Sequence, residues 1–142
     1  MAQRVLLYVE DDDAAFLAMQ FTLREMQAPI ELHRASDGEQ ALAFVRRNNS
    51  FADAPRPDLI VLDLNLPKRS GMEVLAELKS DESLCSIPVI MFSSSRVGVD
   101  EDKSLRLGAQ EYLMKPSSLE GFVETVKRAF SLPESPSKSD DA

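Results

Sequence analysis

Four short runs in this chain end in residues able to do chemistry. Leu59–Leu62 is unbroken apolar sequence that stops at Asp63, Val5–Val9 stops at Glu10 and Asp11, and Pro88–Phe92 stops at Ser93. Glu111–Met114 stops at Lys115, with Pro116 behind it. Such runs are long enough for strands buried on both faces and too short for helices. If the strands ending at Asp11 and Asp63 are neighbours, three carboxylates, a hydroxyl and an ammonium meet at one edge. Two like charges ~4 Å apart cost about 4 kcal/mol at an effective dielectric of ~20, so such a pocket demands a counter-charge. An oxygen-seeking divalent cation supplies it, and Mg²⁺ binds through one or two carboxylates together with water and phosphate oxygens. Three acids, one lysine and one Mg²⁺ sum to zero. A phosphoryl group added to one acid would find the metal, the Lys115 ammonium and the Ser93 hydroxyl beside it. On this ground alone Asp63 is a nucleophile, a metal ligand or a strand-ending turn residue.

The stretches between these runs must bring their ends together. Ala14–Met26 carries Phe16, Leu17, Phe21 and Leu23 at near-helical spacing, has acids at its start and is stopped by Pro29. Ile30–Ala35 alternates, as a strand with one wetter face does. Ser36–Glu39 is turn and cap chemistry, and Gln40–Arg47 reads as a helix with Ala41, Leu42, Phe44 and Val45 inward. After a polar loop over Asn48–Pro57 and the strand ending at Asp63, Pro67–Gly71 is a turn. Met72–Lys79 is a helix with Val74, Leu75 and Leu78 on one face, and Ser80–Ser86 is loop. Val99–Leu107 is a weakly periodic helix closed by Gly108. Ser117 or Ser118 caps a last helix whose apolar residues are Leu119, Phe122, Val123, Val126 and Phe130. Strand and helix alternate five times, which implies an α/β fold with parallel strands, right-handed crossovers and helices on both faces. Ligands on such sheets sit at the carboxyl ends of the strands.

The chain has 142 residues, 44% of them hydrophobic, which is one domain with an ordinary core. We expect that domain over residues 1–131 and a disordered tail over 132–142, where Ser, Pro, Asp and Lys dominate. A net charge of −8 argues against nonspecific nucleic-acid binding and suits a cation site. The single cysteine, Cys85, excludes an internal disulfide and fits a reducing compartment. No apolar run approaches the roughly 20 residues of a membrane span, and the first strand begins too early for a signal peptide. A cytoplasmic protein without membrane contact is the expectation.

Val9–Asp12, Ala35–Leu42, Asp58–Pro67 with Gly71, Pro88–Ser94, and Gly108–Ala109 through Tyr112 to Lys115–Pro116 resemble the blocks of response-regulator receiver domains of two-component signalling. The resemblance runs from about Val5 to Phe130. It implies a flavodoxin-like, doubly wound five-stranded sheet in the order 2-1-3-4-5. It implies further that Asp63 accepts a phosphoryl group from a phosphohistidine on a sensor histidine kinase. Asp11 would be a direct Mg²⁺ ligand and Glu10 would reach the metal through water, while Asp63 and the Asn65 backbone carbonyl would complete the protein ligands. Lys115 would neutralise the phosphoryl oxygens, Ser93 would hydrogen-bond one of them, and Tyr112 would swing inward behind it. The Lys115–Pro116 peptide would be cis, a geometry that X–Pro bonds adopt at little cost. Asn65 and Ser95 stand where the family tunes phosphate lifetime. Ser93 replaces the commoner threonine, and Glu10 stands where aspartate is also frequent.

The implied function is a stand-alone regulator, not an enzyme beyond its own phosphotransfer and dephosphorylation, that switches a protein-interaction surface. Leu64–Lys79 and the loop before Asp58 are similar to single-domain regulators of phytochrome-type light-sensing kinases. Such regulators often pair through the fourth helix, fifth strand and fifth helix, so a homodimer is expected. A receiver-like binding module that is never phosphorylated is the first alternative. A haloacid-dehalogenase-type phosphohydrolase is the second, and Asn65 opposes it by standing where that class places a general-acid aspartate. Outside the site, Asp12 or Asp13 reads as a helix cap and His33 as a half-exposed strand residue. Cys85 reads as an inert loop thiol, and Lys68–Arg69 as a solvated turn.

Overall fold

Alternation of short apolar runs with amphipathic stretches produces a parallel sheet wrapped by helices in the computed structural model, which describes residues 4–93, 98–116 and 118–131. The elements follow in the order β1 (Arg4–Val9), α1 (Asp13–Glu25), β2 (Ile30–Ala35), α2 (Gly38–Arg46), β3 (Leu59–Asp63), α3 (Gly71–Ser80), β4 (Val89–Ser93), α4 (Gly98–Leu107), β5 (Glu111–Met114) and α5 (Leu119–Ser131). One 3-10 turn, Asn49–Phe51, lies in the loop before β3. The strands are parallel and ordered β2-β1-β3-β4-β5, as expected. Ser94, Ser95, Ser117 and residues 132–142, together with the side chain of Phe130, lie outside what is described.

Strand side chains alternate between two cores. Leu7, Val9, Ile60, Leu62, Val89 and Met91 meet Ala41, Leu42 and Phe44 of α2 and Val74, Leu75 and Leu78 of α3. Leu6, Tyr8, Val61, Ile90 and Phe92 meet Ala15, Ala18, Met19 and Leu23 of α1 and Phe122 and Val126 of α5. The period of two along each strand is therefore what sorts the helices onto two faces. Local signals fix the helix starts. Asp12 and Asp37 accept backbone N–H bonds from Ala14 and Gln40, and Ser70 forms a reciprocal capping box with Glu73. With Asp37 and Ser70 as caps, α2 and α3 begin at Gly38 and Gly71, one or two residues ahead of the sequence expectation. Ser118 is the cap of the last helix, its hydroxyl accepting the Gly121 N–H at 3.0 Å. Gly108 closes α4 at φ 115°, a conformation that costs other residues strain.

Three expectations need correction. In α1, Leu17 and Phe21 point to solvent at 61% and 50% exposure, and the buried stripe is Ala15, Ala18, Met19, Thr22 and Leu23. Small residues let the helix lie close to the sheet, and alanines carry little weight in a hydrophobic periodicity. At the start of α5, Leu119 is likewise exposed, and Phe122 and Val126 do the packing. Lys68–Arg69 is not simply a solvated turn. Arg69 pairs with Glu77 of α3 and reaches Glu39 of α2 at 3.5 Å, and Lys68 reaches Asp37 at 3.5 Å.

Candidate functional site

Parallel register decides which strand ends meet. Val9 of β1 lies opposite Ala35 of β2 and Leu62 of β3, Asp63 opposite Phe92, and Ser93 opposite Met114. The last residues of β3 and β4, Asp63 and Ser93, therefore share one edge with Glu10 and Asp11, just beyond β1, and Lys115, just beyond β5. One carboxylate oxygen from each of Glu10, Asp11 and Asp63 lies within 4.8 Å of the others. Glu10, Asp63 and Ser93 are buried, and Asp11 is exposed.

Glu10 is held at both oxygens. Its Oε1 accepts from the Tyr8 hydroxyl at 3.1 Å and from the Lys115 ammonium, and its Oε2 accepts the Asp12 N–H at 3.1 Å. Asp63 Oδ1 accepts the Asn65 N–H at 3.2 Å, and its Oδ2 lies 3.3 Å from Lys115 Nζ. Lys115 thus bridges the first strand end and the third. The Lys115 N–H donates to the Ser93 carbonyl at 2.6 Å, which anchors the loop that delivers the ammonium.

The charges act on one another as a crowded pocket requires. Burial first, and then the Glu10 carboxylate, push the Asp63 carboxyl up to about 6 against the pull of Lys115 and the Asn65 N–H. Burial works against the Lys115 ammonium, but the Glu10 hydrogen bond and the charges of Asp63 and Glu10 outweigh it and hold its pKa above the ordinary value. Burial and then the Glu10 charge push the Tyr8 phenol far above its ordinary value, so it remains a donor. The donor set fits a hard divalent cation, because its three carboxylates include no thiolate and no imidazole. The Glu10 contribution to the raised Asp63 pKa, second to burial, has the sign that such a cation would offset.

The remaining anticipated residues lie nearby. Asn65 is exposed at the corner after β3 and contributes its backbone N–H to Asp63. Tyr112, opposite Met91 in the sheet, is half-buried against the core beneath α2 and α3. The Lys115–Pro116 peptide is trans, since no cis bond occurs among the described residues, and the resemblance had implied cis. An X–Pro bond favours trans by only about 0.5–1 kcal/mol, so sequence alone sets neither isomer. Asp12, not Asp13, caps α1. His33 is half-exposed, pairs with Glu31 at 2.6 Å and packs on Phe44. Cys85 is a free, exposed thiol.

Two contributors were not anticipated. Tyr8 is fully buried and aims its hydroxyl at Glu10, and Arg34 donates from Nε to the Glu10 carbonyl at 3.0 Å. A signal for the first was present: a tyrosine inside a buried strand needs a polar partner, and Glu10 lies two residues on, on the same side.

The response regulator receiver domain model matches residues 6–127. The chain belongs to that family. This receiver is 38% identical over 124 residues to response regulator Rcp1 of Synechocystis, a match covering 87% of this chain and 84% of Rcp1. It is 38% identical over 97 residues to the polar-differentiation response regulator DivK of Brucella anthropi, covering 68% of this chain and 73% of DivK. The crystal structure of the phosphorylated cyanobacterial phytochrome response regulator RcpA superposes with a TM-score of 0.86 at 40% identity, covering 90% of this chain and 91% of RcpA. The Mn²⁺-bound form of Rcp1 gives 0.86 at 36% identity, covering 93% and 96%. The receiver is thus a homologue of phytochrome response regulators, with the flavodoxin-like fold and an acidic cluster able to hold a metal. No helix among the described residues is long and apolar enough to cross a membrane.

Proposed function

We propose that Asp63 is the phosphoacceptor of this receiver and that Glu10, Asp11, Asp63 and the Asn65 carbonyl are its Mg²⁺ ligands, Glu10 through water. The observation that carries this reading is the meeting of three carboxylates with one lysine that bridges two of them. When bound, Mg²⁺ supplies positive charge to the transferring phosphoryl oxygens. An Asp63 carboxylate oxygen bonds to phosphorus, the P–N bond of the donor phosphohistidine breaks, and the leaving imidazole keeps the electron pair. Lys115 moves its ammonium towards the new phosphoryl oxygens, and Ser93, buried at the end of β4, supplies its hydroxyl.

The donor on this reading is a sensor histidine kinase of the phytochrome type, supported by the likeness to Rcp1 and RcpA. Output leaves through α4, β5 and α5, because Ser93 and Lys115 stand at the ends of the strands that lead into those helices. Tyr112 on β5, half-buried against the core beneath α2 and α3, follows the phosphoryl state on this reading. Leu105 of α4 is 43% exposed, which suits a homodimer on that face. The protein turns over no separate substrate, since Asn65 offers Asp63 a backbone N–H and no general-acid carboxyl. It works in the cytoplasm, and its net charge of −8 disfavours direct contact with nucleic acid.

Incubation with acetyl phosphate and Mg²⁺ tests the proposal by intact mass. We expect one added phosphoryl group that disappears in Asp63→Asn and with EDTA. No gain, or a gain that survives Asp63→Asn, overturns it.

A further inference from the structure

The β1–β2 register sets Tyr8 directly opposite Arg34, so their side chains share one face of the sheet. Phe16, in the first turn of α1, lies over both. The Arg34 guanidinium carbon is 5.0 Å from the Phe16 ring centroid, and the Phe16 and Tyr8 rings stack at 6.4 Å with 24° between their planes. Both ends of this layer terminate on Glu10. Arg34 Nε donates to its carbonyl at 3.0 Å, and the Tyr8 hydroxyl donates to its carboxylate at 3.1 Å. Glu10 N–H is bonded in turn to the Ala35 carbonyl at 2.9 Å. Both peptide groups that flank Glu10 are therefore fixed, which also fixes where Asp11 departs. A second arm of the same guanidinium, Nη1, pairs with Asp13 at 2.9 Å and ties down the far side of the acidic loop.

We infer that Arg34, acting with Phe16 and Tyr8, is a positioning residue that presets the Glu10–Asp13 loop for cation binding. The inference rests on the reading that Glu10, Asp11 and Asp63 take Mg²⁺. Arg34 touches neither a phosphoryl group nor a metal on this account, and it works through the Glu10 peptide. Partners of this kind, which orient ligating residues, typically change metal affinity about 10–100-fold when removed. The sign of the effect separates positioning from simple charge. Loss of a cation beside an acidic site tightens Mg²⁺ binding if charge alone matters, whereas loss of a positioning contact weakens it.

Isothermal titration with Mg²⁺ on the full chain reads this directly for Arg34→Gln, Arg34→Lys and Tyr8→Phe. We expect dissociation constants raised about 10-fold in Arg34→Gln, and raised also in Arg34→Lys, which keeps the charge but loses the planar fork and the stack. Tyr8→Phe, which keeps the ring, shifts the same way by less. Amide hydrogen exchange without metal is the second readout, and the Asp12 N–H, bonded to the Glu10 carboxylate, should exchange faster in the Arg34 variants. Tighter binding in Arg34→Gln with no change in Arg34→Lys overturns the inference, as do unchanged affinity and exchange in both. If Arg34→Gln fails to fold, Arg34→Lys and Tyr8→Phe carry the test. A wild-type chain that takes up no Mg²⁺ defeats the metal reading instead, and the exchange rates still decide the role of Arg34.

Discussion

A Cβ placed on Gly71 would lie 2.1 Å from the carbonyl oxygen of Asp63 and 2.8 Å from Leu64 Cα. The first residue of α3 is packed directly against the backbone of Asp63, and its own N–H closes the corner on the Leu64 carbonyl at 2.9 Å. At the first helical position Gly71→Ala gains less than the ~1 kcal/mol of helix propensity seen in a helix interior, and the backbone has to shift to admit the methyl group. We expect a net loss of about 2 kcal/mol, read as a Tm lower by roughly 4–8 °C. Phosphorylation by acetyl phosphate should fall with it, because Asp63 is what moves.

Asp63 has a folded-state pKa of about 6 against an ordinary 3.8, so its ionisation costs stability in the metal-free protein. The favourable state is the protonated one. That advantage is complete below the ordinary value and is lost as pH rises through the folded value. Relative to Asp63→Asn, the wild type should therefore lose up to about 3 kcal/mol between pH 4 and pH 7 in EDTA. Mg²⁺ should close the gap at pH 7. Thermal melts of the two proteins across that range, with and without metal, check it, and a flat difference contradicts the charge account.

Lys115 should separate binding from chemistry. It is bonded to Glu10 and Asp63, so Lys115→Gln removes a cation that competes for the carboxylates. Mg²⁺ affinity should rise by roughly 10-fold. The rate of phosphorylation by acetyl phosphate should fall by about 100-fold, because a donor to the developing charge is gone. Titration calorimetry and a phosphorylation time course on one preparation give both values.

Glu77 collects Arg46 of α2 and Arg69 of the β3–α3 loop, and the Arg46 hydrogen bond is the first cause of its lowered pKa. These side chains are partly exposed, so Glu77→Gln should cost only about 0.5–1 kcal/mol. The contribution is in place above the ordinary glutamate pKa and is lost as pH falls through the lowered folded value. Denaturant melts of the wild type and Glu77→Gln from about pH 7 into the acid range measure the loss and its decline.

The strands and the residues that end them are legible because a buried parallel strand is a bare apolar run with a sharp stop. Asp63, Lys115 and the Glu10–Asp11 pair follow from those stops, and register then makes them neighbours. Side-chain direction on helices is less legible. Phe16, Leu17, Phe21 and Leu23 span more than one face of α1, and what seats that helix is the small Ala15 and Ala18 beside Met19. The Arg34–Phe16–Tyr8 layer is legible only after the sheet order is known, since it joins three elements across a strand pair. Arg69 is missed for a similar reason, because its partners Glu39 and Glu77 lie on two different helices.

The bond between Lys115 and Glu10 joins residues 105 positions apart and ties the end of the first strand to the loop between β5 and α5. Two of the carboxylates assigned above to a divalent ion, Glu10 and Asp63, already hold an ammonium, so an entering ion would have to share them with Lys115. On the proposed reading, a cation entering the acidic cluster would be felt at the start of the β5–α5 loop, because Lys115 is the first residue after β5.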